Sequence, residues 1–153
     1  MKAIDIANWF INKANSEKLD DDVSEGISNL KLQKVLYFAQ AAHLALNNSK
    51  PLFDDKICAW PLGPVVESVY QDFKQYSNKP IDGPTNKDYL KVVDAGLASF
   101  LENTWTIFGK FSAAKLVQMS HEHKPWKDAF KANKSVITKE SMFDYYKSVF
   151  RES

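Results

Sequence analysis

The chain has 153 residues, 44% of them hydrophobic and 13% aromatic, and a formal net charge of +1. That is the usual size of one globular domain, with enough apolar surface to offset chain entropy, so residues 1–153 are expected to form a single compact domain. Balanced charge with one arginine, Arg151, argues against direct nucleic-acid binding, and the lone Cys58 excludes an intrachain disulfide and a thiolate-rich metal cluster.

The first segment, MKAIDIANWFINKANSEKL, meets a polar residue every two or three positions, which is no signal-peptide core. With no apolar run of membrane-span length anywhere, a soluble cytoplasmic protein is expected. Ile4, Ala7, Ile11 and Ala14 lie on one helical stripe, with Ile6, Trp9 and Phe10 beside it, and predict an amphipathic helix. From Asn15 to Ser28 the apolar signal fades into a solvated connector containing Asp20, Asp21, Asp22 and Gly26. Asn29 is the expected N-cap of a second helix whose buried face is Leu32, Val35, Leu36, Ala39, His43 and Leu46, ending at Asn47 and Asn48.

Pro51 to Trp60 is too short for a helix and reads as extended, with room for a small two-stranded element. Gly63 allows a tight turn, and Pro64 is expected at the first position of a third helix carrying Val65 or Val66, Val69, Tyr70 and Phe73. Ser77 to Asn86 is a loop broken by Pro80, Gly83 and Pro84. A long helix is expected beyond it, with Ala95 or Leu97, Leu101, Thr104 or Trp105 and Phe108 as its stripe and Gly109 as its stop. Ser112 caps a helix from Ala113 to about Met119 with Leu116 and Val117 inward, Pro125-Trp126 opens another turn, and Thr138 caps a last helix bearing Met142, Tyr145 or Tyr146 and Val149. The fold class is therefore all-α, with six or seven helices.

Motifs for catalysis are sparse. His121, Glu122 and His123 are the residue types of a zinc site, which keeps a metal-dependent hydrolase as one alternative. Yet i and i+2 point to opposite sides of a helix, whereas helical zinc sites use i and i+4. Cys58 lies between Ile57 and Ala59-Trp60, surroundings that raise a thiol pKa and disfavour nucleophilic use. No phosphate loop or nucleophile elbow occurs. No catalytic, cofactor-binding or metal-binding residue is assigned, and no cofactor is expected.

Three strings carry a resemblance: NLKLQKVLYFAQAAHLAL from Asn29 to Leu46, PLFDDKICAWPLGPVVESVYQDFK from Pro51 to Lys74, and SHEHKPW from Ser120 to Trp126. In this order they resemble the Panacea domain of SocA-like antitoxins, a phage-associated family with an LKLQKLLYFAQ helix, a PLF segment, an AWxxGPVxxxVY block and a late His motif followed by PW. Ser120 replaces the usual Thr before the late His. The resemblance implies a mostly helical antitoxin that neutralises a cognate protein toxin by direct binding, the toxin gene lying adjacent. The SocA branch further implies, as an alternative, a proteolytic adaptor delivering the toxin to a ClpXP-type AAA+ protease. Gln33, Tyr37, Gln40, Trp60, Tyr70, His121 and Trp126 are the polar or amphipathic positions in these strings. They serve either a partner interface or a buried polar network, since both uses need satisfied hydrogen bonds.

Overall fold

The computed structural model describes residues 1–20 and 25–150. Its elements in chain order are α1 (Ala3–Asp20), α2 (Asn29–Leu46), β1 (Ile57–Trp60), β2 (Gly63–Val65), α3 (Glu67–Phe73) followed by a 3-10 turn (Lys74–Tyr76), α4 (Tyr89–Val92), α5 (Ala95–Phe108), α6 (Ala113–Glu122), α7 (Lys124–Lys131), β3 (Val136–Ile137) and α8 (Lys139–Val149). The protein is mostly helical as expected, with eight α-helices among the described residues in place of six or seven. The expected long helix after the Pro80–Pro84 loop is two elements. Val93 turns to an extended conformation, and Asp94 caps α5 by accepting from the Leu97 amide at 2.9 Å.

The architecture is organised around α2, which packs against α1, α3, α5, α6, α8 and β2. Every residue from Leu32 to Ala42 is buried, so the one-faced stripe is replaced by a helix enclosed on all sides. Its last turn projects out of this enclosure. Leu44 fills the core, His43 is half-buried and Leu46 is exposed, contrary to the expected face. The N-cap is Ser28, whose side chain accepts from the Lys31 amide, and not Asn29. Asn29 sits in the first turn and bonds inward instead.

α1 continues through Asn15–Asp20, where composition suggested connector. Polar residues there occupy its solvent side, and the Glu17 carboxylate accepts from the Trp105 indole of α5. The part of the expected connector at Asp21 and Asp22 lies outside the described residues. The Ser112 and Thr138 caps and the Gly109 stop occur as expected. Val149 is exposed, because Tyr146 is the residue of that helix that faces α2.

The small sheet is antiparallel with order β2-β1-β3. β1 and β2 form a hairpin turning at Pro61-Leu62, with Trp60 opposite Gly63 and Ala59 opposite Pro64. Pro64 is thus a strand residue and not the start of a helix; on an edge strand its missing N–H costs no ladder bond, and α3 begins three residues later. The third strand, Val136-Ile137, pairs with Cys58 and Ile57 and extends the anticipated two-stranded element. Two residues are too few for alternation to reveal. A hydrophobic cluster joins α1, α2, α5, α6, α7 and α8 to the sheet, with Phe38 stacked on Phe108 at its centre (ring centroids 4.7 Å apart). No helix among the described residues is long and apolar enough to cross a membrane.

Candidate functional site

Gln33, Tyr37 and Gln40 fall at i, i+4 and i+7 of α2, one helical face, and all three are buried. Gln40 is saturated. Its carbonyl oxygen accepts from the Leu52 and Phe53 amides at 2.7 and 3.3 Å, and its amide donates to the Phe53 carbonyl at 2.8 Å. Gln33 accepts from the Val66 amide at 2.9 Å and donates to Asn29, which in turn donates to the Tyr70 carbonyl. These two glutamines therefore fix the chain around the sheet: Gln40 holds the segment entering it and Gln33 the junction of β2 with α3.

Tyr37 belongs to a different chain of contacts. The Tyr146 hydroxyl donates to the Tyr37 oxygen at 3.0 Å and lies 2.8 Å from Nδ1 of His123. Burial holds both phenols above the ordinary tyrosine range. Burial likewise lowers the His123 pKa, against a smaller opposite pull from Glu122.

Between the glutamines' turns stands Lys34, a charged residue with no measurable exposure. Its Nζ donates to the Pro64 carbonyl at 3.0 Å, and no ion pair reaches it among the described residues. Burial alone pushes its pKa down to about 7. The stem of Lys34 passes directly beneath Gly63. That glycine has φ +105°, and a Cβ there would come within 2.8 Å of Lys34 Cε and 2.9 Å of Ser120 Oγ. Gly63 is needed twice over, for its backbone angle and for the close approach of the lysine.

Above Lys34 opens a groove of about 500 Å³ lined by Leu30, Gln33, Lys34, Trp60, Leu62 and Tyr70, with Lys74 also on its wall. Trp60 and Tyr70 meet edge to face, with ring centroids 5.0 Å apart. Leu62 at the hairpin turn is 61% exposed. Trp126 braces the hairpin from the other side, its indole N–H donating to the Trp60 carbonyl at 2.9 Å, while His121 stacks on its ring at 4.0 Å. The buried Nε2 of His121 has no hydrogen-bond partner among the described residues.

The structure thus sorts the seven candidates. Gln33, Trp60 and Tyr70 meet at the groove, and Trp126 with His121 supports it from behind. Tyr37 and Gln40 lie elsewhere in the interior. His121 and His123 separate as their spacing predicts, one stacked on Trp126 and the other against Tyr146 and Phe38. Among the described residues no three His, Cys, Asp or Glu side chains converge in a way that could hold a metal. The Cys58 thiol is pushed up by burial first and by Glu67 second.

Lys34, Gly63, Leu62 and Lys74 line or shape the groove and were not among the sequence candidates. A signal for Lys34 existed. It is i+4 from Leu30 and i−4 from Phe38, on an apolar line where a lysine is out of place.

Fold and groove define a class: a helical protein enclosing one central helix, whose buried polar groups hold an aromatic hairpin at the surface. The chain belongs to the SocA-like antitoxin family, whose Panacea domain matches residues 32–127, from the first buried turns of α2 through α7's Trp126. It is similar to Antitoxin SocA of Caulobacter vibrioides (strain NA1000 / CB15N), with 32% identity over 131 residues that cover 79% of this chain and 66% of that protein. The chain therefore spans just under two thirds of that relative's length. No solved structure shows a significant match.

Proposed function

We propose that this protein is an antitoxin that neutralises a cognate protein toxin by direct binding through the hairpin face, without catalysis. The observation that carries the reading is the coincidence of the family match with the groove: residues 32–127 contain Trp60, Leu62 and Tyr70, a large aromatic and apolar surface held rigidly by Gln33 and Trp126. Aromatic side chains set in preorganised surroundings are the usual anchors of protein interfaces. The toxin is expected to be the product of an adjacent gene.

Co-expression tests this. The neighbouring gene's product should arrest growth alone, and this protein should restore growth and co-purify with it. A Trp60→Ala, Tyr70→Ala double variant should fold yet lose most of the rescue. If the neighbour is harmless, or remains toxic and unbound in the presence of this protein, the antitoxin reading fails.

A further inference from the structure

Charge is unevenly spread along the chain. Residues 110–139 hold seven lysines and two carboxylates, Glu122 and Asp128, in a chain of net charge +1, so the rest is net acidic. The centre of this basic stretch is α7. Pro125, Trp126 and Ala129 form its buried side, and Lys127, Phe130 and Lys131 lie together on its exposed side, the two lysines one turn apart. The one carboxylate of the helix, Asp128, is paired with Lys124, whereas no ion pair reaches Lys127 or Lys131 among the described residues.

Phe130 is not a loosely held surface ring. It is 44% exposed yet stacks on Trp126 with centroids 4.7 Å apart, and His121 stacks on Trp126 as well. The Trp126 indole is tied to the Trp60 carbonyl, so the ring is fixed relative to the hairpin. A single exposed apolar residue is ordinary. A rigid one between two uncompensated like charges has the make-up of an interface anchor: the ring supplies apolar area at little entropic cost, and the charges fix the sign of what can surround it.

We propose that the outer face of α7 is a second contact surface for the toxin, Phe130 taking an apolar side chain and Lys127 and Lys131 pairing with carboxylates around it. The occupant is an acidic patch of the toxin with an apolar residue at its centre. A protein fits this face better than a nucleic acid does, because lysines alone lack the forked donors with which arginine grips phosphate and guanine. The Trp126 link makes the face continuous with the hairpin. This rests on the antitoxin reading and adds to it where acidic ground on the toxin is met.

The test is association and dissociation kinetics of the full chain, with the adjacent gene's product as the probe and ionic strength varied. A Lys127→Glu, Lys131→Glu double variant should slow association on the order of tenfold or more at low salt and flatten its salt dependence. A Lys87→Glu, Lys91→Glu variant is the control. It makes the same change in net charge at exposed positions in and just before α4, which packs on α1, and should have a much smaller effect. Phe130→Ala should speed dissociation on the order of tenfold with little change in association, the Trp126 indole N–H resonance staying in place as the sign that the hairpin is intact.

The α7 surface is refuted if the Lys127, Lys131 variant associates as the native protein does, or if the control slows association equally, which marks steering by net charge alone. It is also refuted if Phe130→Ala dissociates at the native rate, since the lysines then attract without docking. If the Lys127, Lys131 variant spares toxin binding but abolishes binding of a labelled single-stranded oligonucleotide, the face serves nucleic acid and the proposal fails. Each of these outcomes leaves the antitoxin reading standing, since the native protein still binds and rescues. Absence of any toxin binding by the native protein removes both.

Discussion

Two polar side chains of α2, six positions apart and both buried, are treated in opposite ways. Gln40 has its carbonyl and amide matched by three backbone groups of Leu52 and Phe53. Lys34 has one backbone carbonyl and no opposing charge among the described residues. A buried polar group matched at both ends in this way is architecture: it replaces lost water bonds and fixes one chain path. One left under-matched reduces stability without fixing a chain path. The contrast separates residues that build the hairpin platform from one that the interior tolerates at a cost.

The sharpest way to break this comparison is at Gln40. Gln40→Leu strands two amide donors and one carbonyl in the interior, and should cost about 3 kcal/mol, read as a fall in the urea midpoint. A cost under about 1 kcal/mol would mean that the Leu52-Phe53 segment finds other partners and that Gln40 is no keystone.

Lys34 should behave in the reverse sense. Its folded pKa, about 7, lies below the value of 10.5 expected in an unfolded chain, so between these values the unfolded state binds more protons and stability rises with pH. Lys34→Met should abolish that rise, an amplitude on the order of 3 kcal/mol between pH 7 and pH 10. Relative to the native protein it should be most stable at or below pH 7, where the native chain must bury the charge. Loss of the bond to the Pro64 carbonyl offsets part of the gain. Parallel stability curves for the two proteins across this range would show that Lys34 is not desolvated.

Gly63 lies between the two regimes, since it supports the platform and also roofs the lysine. Gly63→Ala should cost roughly 2 kcal/mol through its φ of +105° and the approach of its Cβ to Lys34 and Ser120. If the lysine stem is the limiting contact, combining it with Lys34→Ala should recover part of the loss, whereas a purely backbone penalty is unaffected.

These residues also mark how far the fold is legible from sequence. The helix at α2, the Ser112 and Thr138 caps and the Gly109 stop follow from local chemistry, and each is a local structure. Enclosure of α2 on every side is not local, because periodicity reports one face while α1, α3, α5, α6, α8 and β2 together cover the others. Pro64 is misplaced by the same logic: the preference for a helix's first turn is intrinsic, and pairing with Ala59 across the hairpin overrides it. Trp60 and Tyr70 are conspicuous as aromatics, but their meeting at 5.0 Å depends on the hairpin turning back over α3. Lys34 is hidden by a habit of reading. A lysine in a helix is usually assigned to solvent, and its place on the Leu30-Phe38 line acquires meaning only once the helix is known to be surrounded.

The smallest expected effect concerns a third buried polar group, intermediate between these two. The Tyr146 hydroxyl bridges Tyr37 and His123, so Tyr146→Phe removes one shared hydrogen-bonding atom and should cost about 1 kcal/mol. The His123 titration separates packing from bonding. Its pKa is lowered chiefly by burial and not by the phenol, so it should stay below the ordinary histidine value in Tyr146→Phe. It should move up toward that value in Tyr145→Ala, which removes a ring whose centroid lies 5.4 Å from the imidazole. With a folded pKa below the unfolded one, His123 makes the protein lose stability as pH falls through the unfolded value toward the folded one, and Tyr146→Phe should retain that loss. A His123 midpoint that rises in Tyr146→Phe as much as in Tyr145→Ala would make the hydroxyl itself the cause, and would place this site with Lys34 as a tuned group instead of with Gln40 as a structural one.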